Sequence, residues 1–239
     1  MSLLRDRELS EAFDRAASAY DRLVALNPGY HAHLRRSARR LGLRRPGGGL
    51  RLLDLGCGTG ASTRALVRAV PAAEIVAVDA SAGMLERAVS KRWPPSVSFV
   101  HGSAERLAEA GVAGPFDAVF AAYLFRNVAD PDTLLARVRG LLVPGGRLAV
   151  HEFTLSGRAT DRAVWRAVCT GVVLPAGALA GDGELYRHLY RSVLGFDTAA
   201  RFGERVRRAG FTRVRVLPMP GWQTGIVHTV VGAVPGAGR

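Results

Sequence analysis

The stretch LLDLGCGTGAST, residues 52–63, carries an apolar run into a turn built on Gly56, Gly58 and Gly60 and out again into a helix-forming segment. Glycines at a strand-to-helix turn let backbone N–H groups approach a ligand closely, and the following helix N-terminus offers partial positive charge to whatever sits above it. The loop alone is ambiguous, because Gly56, Gly58 and Ala61 also satisfy the GxGxxG/A pattern of nucleotide-binding turns. Asp54, inside the apolar run just before the glycines, argues against a pyrophosphate there, which a carboxylate would repel. Cys57, within the loop, has no partner base in view and takes no nucleophilic role.

Downstream of this turn, apolar runs of strand length alternate with amphipathic stretches. EIVAVD (74–79) precedes SAGMLERAVSKRW (81–93), VSFVHG (97–102) precedes AERLAEA (104–110), FDAVFAAY (116–123) precedes DPDTLLARVRGLL (130–142), and GRLAVHEF (146–153) follows. Strands apolar on both faces, separated by helices, predict a parallel sheet covered on both sides, a doubly wound α/β domain. The alternation then stops. A mixed segment over residues 154–195, a helix TAARFGERVRRAG (198–210) and two β-like runs, TRVRVLPMP (212–220) and TGIVHTVVG (224–232), predict an insertion followed by an antiparallel hairpin appended to the sheet. Ahead of the turn, residues 1–48 read as a helical cap, ELSEAFDRAASAYDRLVAL (8–26) and YHAHLRRSARRLGL (30–43), ending in a PGGG linker. The remainder, 49–239, is one domain with a lid inserted at about 154–195.

With 239 residues, 48% hydrophobic and 22% charged, the chain has ample material for one core and is not disordered. A net charge of +13 would ordinarily suggest nucleic acid or an anionic membrane. All the cations but Lys91 are arginine, they are spread along the chain, and the one dense run, residues 34–49, fits a solvated helical face; no nucleic-acid motif accompanies them. Cys57 and Cys169 form no disulfide framework and stand in no metal-spaced cluster, so no metal is expected and a reducing cytoplasm fits. The N-terminus lacks the apolar core of a signal peptide. The uncharged segment 167–181 is too short to span a bilayer and is interrupted by Pro175 and glycines.

Two acids extend the loop's argument. Asp79 ends the second predicted strand, placed to accept hydrogen bonds from a ribose diol, and GSAERL (102–107) brings Ala104 and Glu105 to the end of the third. In this combination the chain resembles the class I S-adenosylmethionine-dependent methyltransferases. The resemblance implies a Rossmann-like seven-stranded sheet and a cofactor, S-adenosylmethionine, with S-adenosylhomocysteine as product. It assigns Asp54, Gly56, Cys57, Gly58 and Gly60 to the methionine moiety, Asp79 with Ala80 and Met84 to the ribose side, and Ala104 with Glu105 to the adenine. Ser103 stands where that family often carries aspartate. Tyr20, in SAYDRL, is placed to close the site from the N-terminal side. A nicotinamide oxidoreductase is the disfavoured rival, on account of Asp54 and the hairpin ending.

More specifically, AFDRAASAYDRL (12–23), FRNVADPDTLLARVRGLLVPGGRL (125–148), VLPAGALAGDGELYRHLYRSV (173–193) and GIVHTVVG (225–232) look like the menaquinone and ubiquinone biosynthesis C-methyltransferases. This likeness implies methylation of a ring carbon in a hydrophobic quinol or phenol, polyprenylated in the extreme case, with the cap and insertion covering the carboxyl end of the sheet. Such chemistry needs negative charge to develop on a ring oxygen. Arg126 would stabilise it and Asn127 would donate to the neighbouring oxygen, neither acting as base. His151, Glu152, Tyr186, Tyr190 and His228 are the candidates for a base. Each has a plainer alternative: local ion pairing with Asp130 or Asp132 for Arg126 and Asn127, core packing for the others. Other acceptors, methylated on oxygen, nitrogen or carbon, and a non-methylating reaction such as cyclisation on the same fold stay open. Nucleic acid is not expected as a partner; a homodimer and peripheral contact of the apolar segment with a membrane are compatible with the sequence.

Overall fold

The computed structural model describes residues 6–25, 27–179 and 181–236. Its centre is a sheet of seven strands in the order β3-β2-β1-β4-β5-β7-β6. The first four strands are β1 (Arg51–Leu55), β2 (Glu74–Asp79), β3 (Val97–His101) and β4 (Phe116–Ala122), and β5 (Leu142–Phe153) continues them in parallel. Leu52, Leu53, Asp54 and Leu55 are all buried, as expected of a central strand covered on both faces. β6 (Thr212–Pro218) and β7 (Val227–Ala233) run antiparallel, and it is β7, the later strand, that pairs with β5. The connection between them holds a 3-10 turn over Gly221–Gln223 rather than a minimal hairpin turn.

Helices α1 (Asp6–Ala25) and α2 (Tyr30–Arg40) precede β1. They divide in function. The buried face of α2, with Leu34 and Ala38, packs with Leu41, Leu52, Ile75 and Phe120 as part of the sheet's own core, whereas α1 lies across the carboxyl end of the sheet. The crossover helices α3 (Ala61–Ala69), α4 (Ala82–Val89) and α5 (Pro131–Leu141) begin at that end. Two of them are capped from the sequence itself. Ser81 Oγ accepts from Met84 N at 3.1 Å, and Asp130 accepts from the N–H groups of Asp132 and Thr133, with Pro131 filling the first helical position.

The insertion folds as α6 (Ala159–Val168), a π-helical turn at Cys169–Val173, α7 (Leu174–Leu179) and α8 (Gly183–Gly195); α9 (Ala199–Arg208) returns the chain to the sheet. The apolar segment is therefore helical over residues 167–179, through the breaks expected at Gly171, Pro175 and Gly177, and turns at Gly181, whose φ is +80°. Pro175 follows directly on the π turn, in which Leu174 N–H bonds the Cys169 carbonyl, so the helical run continues past the proline although its ring supplies no N–H. Among the described residues no helix is long and apolar enough to cross a membrane.

Candidate active site

A cavity of about 1060 Å³ opens at the carboxyl end of the parallel strands, bounded by the β1–α3 loop, the ends of β2 to β4, and α1 above them. Gly56 and Gly58 form one wall with φ of +73° and +53°, conformations that a side chain would strain, and a Cβ on Gly58 would meet open space. Gly60 lies one step behind, as the N-cap of α3 against Trp93, and is not part of the wall. Asp79 is held by two backbone donors, Gly58 N at 2.7 Å and Ser81 N at 2.9 Å, one on each oxygen. Each oxygen has a second lone pair to offer, and Asp79 lines the cavity, which suits a vicinal diol. Burial raises the Asp79 pKa, and these N–H groups act in the opposite direction. Ala80, Met84, Ala104 and Glu105 also line the cavity, as does Cys57, whose thiol burial pushes well above its ordinary range. Ser103 Oγ accepts from Glu105 N at 3.2 Å, so the serine caps the turn after β3.

Asp54 sits behind the loop. It is fully buried, and one carboxyl oxygen accepts from the hydroxyls of Ser62 (2.8 Å) and Thr63 (2.6 Å), pinning the start of α3 to β1. Burial raises its pKa to about 7 against the two hydroxyl bonds.

At the opposite end of the cavity, the 3-10 turn Phe125–Asn127 presents Arg126 and Asn127. Arg126 pairs with Glu152, its Nη1 donating at 2.7 Å to Glu152 Oε1 and also at 2.7 Å to the carbonyl of Tyr123. The partners expected from the sequence are otherwise engaged: Asp130 caps α5, and Asp132 pairs with Arg205. The ion pair is nearly water-free, with the two side chains 7% and 1% exposed, and the Arg126 Nε–H is buried without a protein acceptor. Asn127 is engaged at both ends of its carboxamide, donating to Tyr123 O at 3.3 Å and meeting His188 Nε2 of α8 at 3.0 Å. Tyr20 lines the cavity from α1, in hydrogen-bond contact with Tyr30.

His151, Tyr186, Tyr190 and His228 stand outside the lining. His151 is fully buried in β5 and burial drops its pKa to about 3, so it is neutral. Tyr186 packs across Gly177 of α7, its phenol pushed up to about 12 by burial. Tyr190 joins the cluster of Phe153 and Trp165 under the lid, and its carbonyl accepts from Trp165 Nε1. His228 is tied to Thr154 by its carbonyl and hydroxyl. Glu152 accepts from Arg126 and, like these four, stands outside the lining. Residues in or beside the site that the sequence did not point to include Phe13, Tyr30, Tyr123, His188 and His101, whose Nε2 meets the carbonyl of Ala80 at 3.0 Å. Only Tyr123 carries a local signal, as a polar ring at the carboxyl end of a core strand. Among the described residues no group of His, Cys, Asp or Glu side chains converges as a metal site would.

The model of the ubiE/COQ5 methyltransferase family matches residues 1–232. The chain belongs to that family. It is 35% identical over 230 residues to the ubiquinone/menaquinone biosynthesis C-methyltransferase of Syntrophotalea carbinolica, covering 94% of each chain. It is 37% identical over 171 residues to the demethylmenaquinone methyltransferase of Deinococcus radiodurans, covering 70% of each. Among solved structures, a SAM-dependent methyltransferase from Thermotoga maritima superposes with a TM-score of 0.66 at 19% identity, over 94% of this chain and 99% of that one, a likeness of fold. This methyltransferase therefore carries the class I sheet, and its cavity lies where such sheets bind ligands.

Proposed function

We propose that this methyltransferase transfers the methyl group of S-adenosylmethionine to a ring carbon of a hydrophobic quinol or related phenol. The observation that carries the reading is the continuity of one cavity from the glycine loop and Asp79 to the buried Arg126–Glu152 pair. The names of the two relatives, both quinone-pathway methyltransferases, support the same acceptor class.

The loop and acid wall fit the cofactor. Gly56, Cys57 and Gly58 would hold its amino-acid portion, Asp79 with Ala80 and Met84 the ribose, and Ala104 with Glu105 the base. When bound, the cofactor supplies an electrophilic sulfonium methyl. The rest is the protein's work. Electron density reaches a ring carbon when the acceptor binds as its phenolate, the hydroxyl proton having passed to bulk water, and the guanidinium of Arg126, fixed by Glu152, stabilises the negative charge on that oxygen; after methyl transfer the hydrogen on the methylated carbon is lost to water as the ring regains aromaticity. Asn127, held between Tyr123 O and His188, fixes the turn and ties the lid to it. Helix α1 covers the cavity with α8 of the insertion beside it, Glu184 meeting Arg15 and His188 meeting Asn127, and the exposed apolar side chains Val164, Val172 and Leu179 of the insertion make peripheral contact with the membrane that holds the acceptor.

Calorimetric titration with S-adenosylhomocysteine, followed by mass spectrometry of demethylmenaquinol incubated with S-adenosylmethionine, tests the reading. The expected result is micromolar binding and a carbon-methylated product, with Arg126→Ala retaining the first and losing on the order of 10²-fold or more of the rate. Methylation of oxygen alone, or no product from any quinol, would overturn it.

A further inference from the structure

A line of hydrogen bonds runs from the protein surface to the cavity and ends on Tyr123. Arg40 Nη1 donates to Thr229 Oγ1 at 2.8 Å, Thr229 Oγ1 meets Ser37 Oγ at 2.7 Å, Ser37 Oγ meets His151 Nδ1 at 2.9 Å, and His151 Nε2 meets the Tyr123 hydroxyl at 2.9 Å. Ser37, Thr229 and His151 are essentially inaccessible, so each hydrogen must find an acceptor within the line. The direction follows from the first link. A guanidinium can only donate, so Thr229 accepts from Arg40 and spends its own hydrogen on Ser37. Ser37 then donates to His151 Nδ1, which leaves the imidazole hydrogen on Nε2, donating to the Tyr123 oxygen. The phenolic hydrogen of Tyr123 is thereby directed away from His151.

The backbone of Tyr123 is arranged to the same end. Its φ of +58° is a left-handed conformation that an aromatic residue rarely adopts. It is held there by its own N–H on the His151 carbonyl at 2.7 Å and by Arg126 and Asn127 on its carbonyl. The ring is wedged between Tyr30, stacked at 5.7 Å, and Phe153 at 4.9 Å. The same residue that orders Arg126 through its carbonyl is thus itself part of the lining that Arg126 shares.

We propose that Tyr123 donates a hydrogen bond to a ring oxygen of the acceptor, sharing with Arg126 the charge that develops there, and that His151 is a positioning residue fixing the direction of that donation. The proposal rests on the phenol-methylating reading and adds to it a second, neutral donor. No proton leaves Tyr123; its phenol is held by burial, and by the nearby Glu152 carboxylate, well above the range in which it would ionise. Recognition is thus of an acceptor with a ring hydroxyl or its phenolate close to the reacting carbon.

The experiment compares wild type with Tyr123→Phe, His151→Leu and His151→Gln, each first shown to bind S-adenosylhomocysteine as wild type does. 4-Nitro-1-naphthol, a chromophoric phenol, is titrated into each complex at one fixed pH and its phenolate absorbance read; quinol turnover is measured in parallel. Tyr123→Phe is expected to reduce the bound phenolate-to-phenol ratio about tenfold and kcat on the order of 10²-fold with KM little changed. His151→Leu should fall in the same direction by less, and His151→Gln, whose amide can replace the Nε2 donor, should recover most of it. A phenolate ratio in Tyr123→Phe equal to that of wild type overturns the proposal. A Tyr123-dependent ratio without quinol turnover by wild type would leave the donor in place and overturn the quinol reading instead.

Discussion

Asp54 lies inside β1 with two hydroxyls on one carboxyl oxygen and no partner on the other, in full burial. Burial outweighs the hydroxyl bonds and the pKa rises to about 7 from an ordinary 3.8. The folded protein therefore binds the proton more tightly than the unfolded chain, and the stability that this proton contributes, complete below about 4, declines as pH rises and is lost as pH passes through about 7. Asp54→Asn keeps an oxygen for Ser62 and Thr63 and removes the buried charge. Thermal unfolding should show a Tm advantage for the variant that is small at pH 5 and has grown by several degrees at pH 8. An advantage independent of pH would mean that Asp54 is not protonated in the folded state at the lower pH. The resemblance assigned this acid to the methionine moiety, whereas its partners Ser62 and Thr63 are close in sequence, within one turn of the glycines. That it sits behind the loop rather than in the cavity wall was not legible, because side-chain direction at a strand end is set by the register with β2 and β4.

At the scale of elements, α1 is fastened over the cavity by acids at two levels. Asp14 accepts from Ser81 Oγ and, at 2.9 Å, from Gly83 N, which ties α1 to the start of α4; Asp21 accepts from Thr59 Oγ1 and pairs with Lys91 at 2.6 Å. The approach is close enough that a Cβ on Gly83 would stand 3.2 Å from Asp14 Cα. A residue with a side chain at 83 pushes α1 away from α4, while the φ of this position suits any residue. Each hydrogen bond to an ionised group contributes about 1.5–3 kcal/mol when well shielded and less at a half-exposed site. Loss of the Asp14 contacts should therefore speed release of S-adenosylhomocysteine by about tenfold. Asp14→Ala and Gly83→Val are both expected to raise the dissociation rate in stopped-flow displacement, and to raise amide exchange in residues 6–25, with the Tm changed by only a few degrees. Unchanged release in both variants would show that α1 does not gate this end of the cavity.

Across the whole molecule, what was legible in the sequence is what is local in it. Apolar runs marked the parallel strands, buried on both faces in β1, β2 and β4 but not in the edge strand β3, and the glycine loop, Asp79, Ala104, Glu105 and Arg126 were found at the strand ends that short spacing had marked. The rest depends on sheet order. Glu152 reaches Arg126 because β5 lies beside β4, and the line from Arg40 to Tyr123 draws on α2, β7, β5 and the end of β4, with Ser37 and Thr229 separated by 192 positions. No periodicity encodes such meetings. The lid shows the same division: its apolar character was plain, but which side chains face outward follows from how α6 to α8 pack. Val164, Val172 and Leu179 are 42%, 63% and 91% exposed, with Arg162 and Arg166 also exposed on α6. Full burial of a valine or leucine is worth roughly 1.5–3 kcal/mol, and basic residues add about 1 kcal/mol each near an anionic surface. Flotation with vesicles containing phosphatidylglycerol should thus recover the wild type in the lipid fraction at low salt. Val172→Asp with Leu179→Asp should lower the partition at least tenfold without moving the Tm, since both side chains are exposed. A salt-sensitive association that the double substitution leaves intact would assign the contact to the arginines elsewhere on the surface and not to the lid.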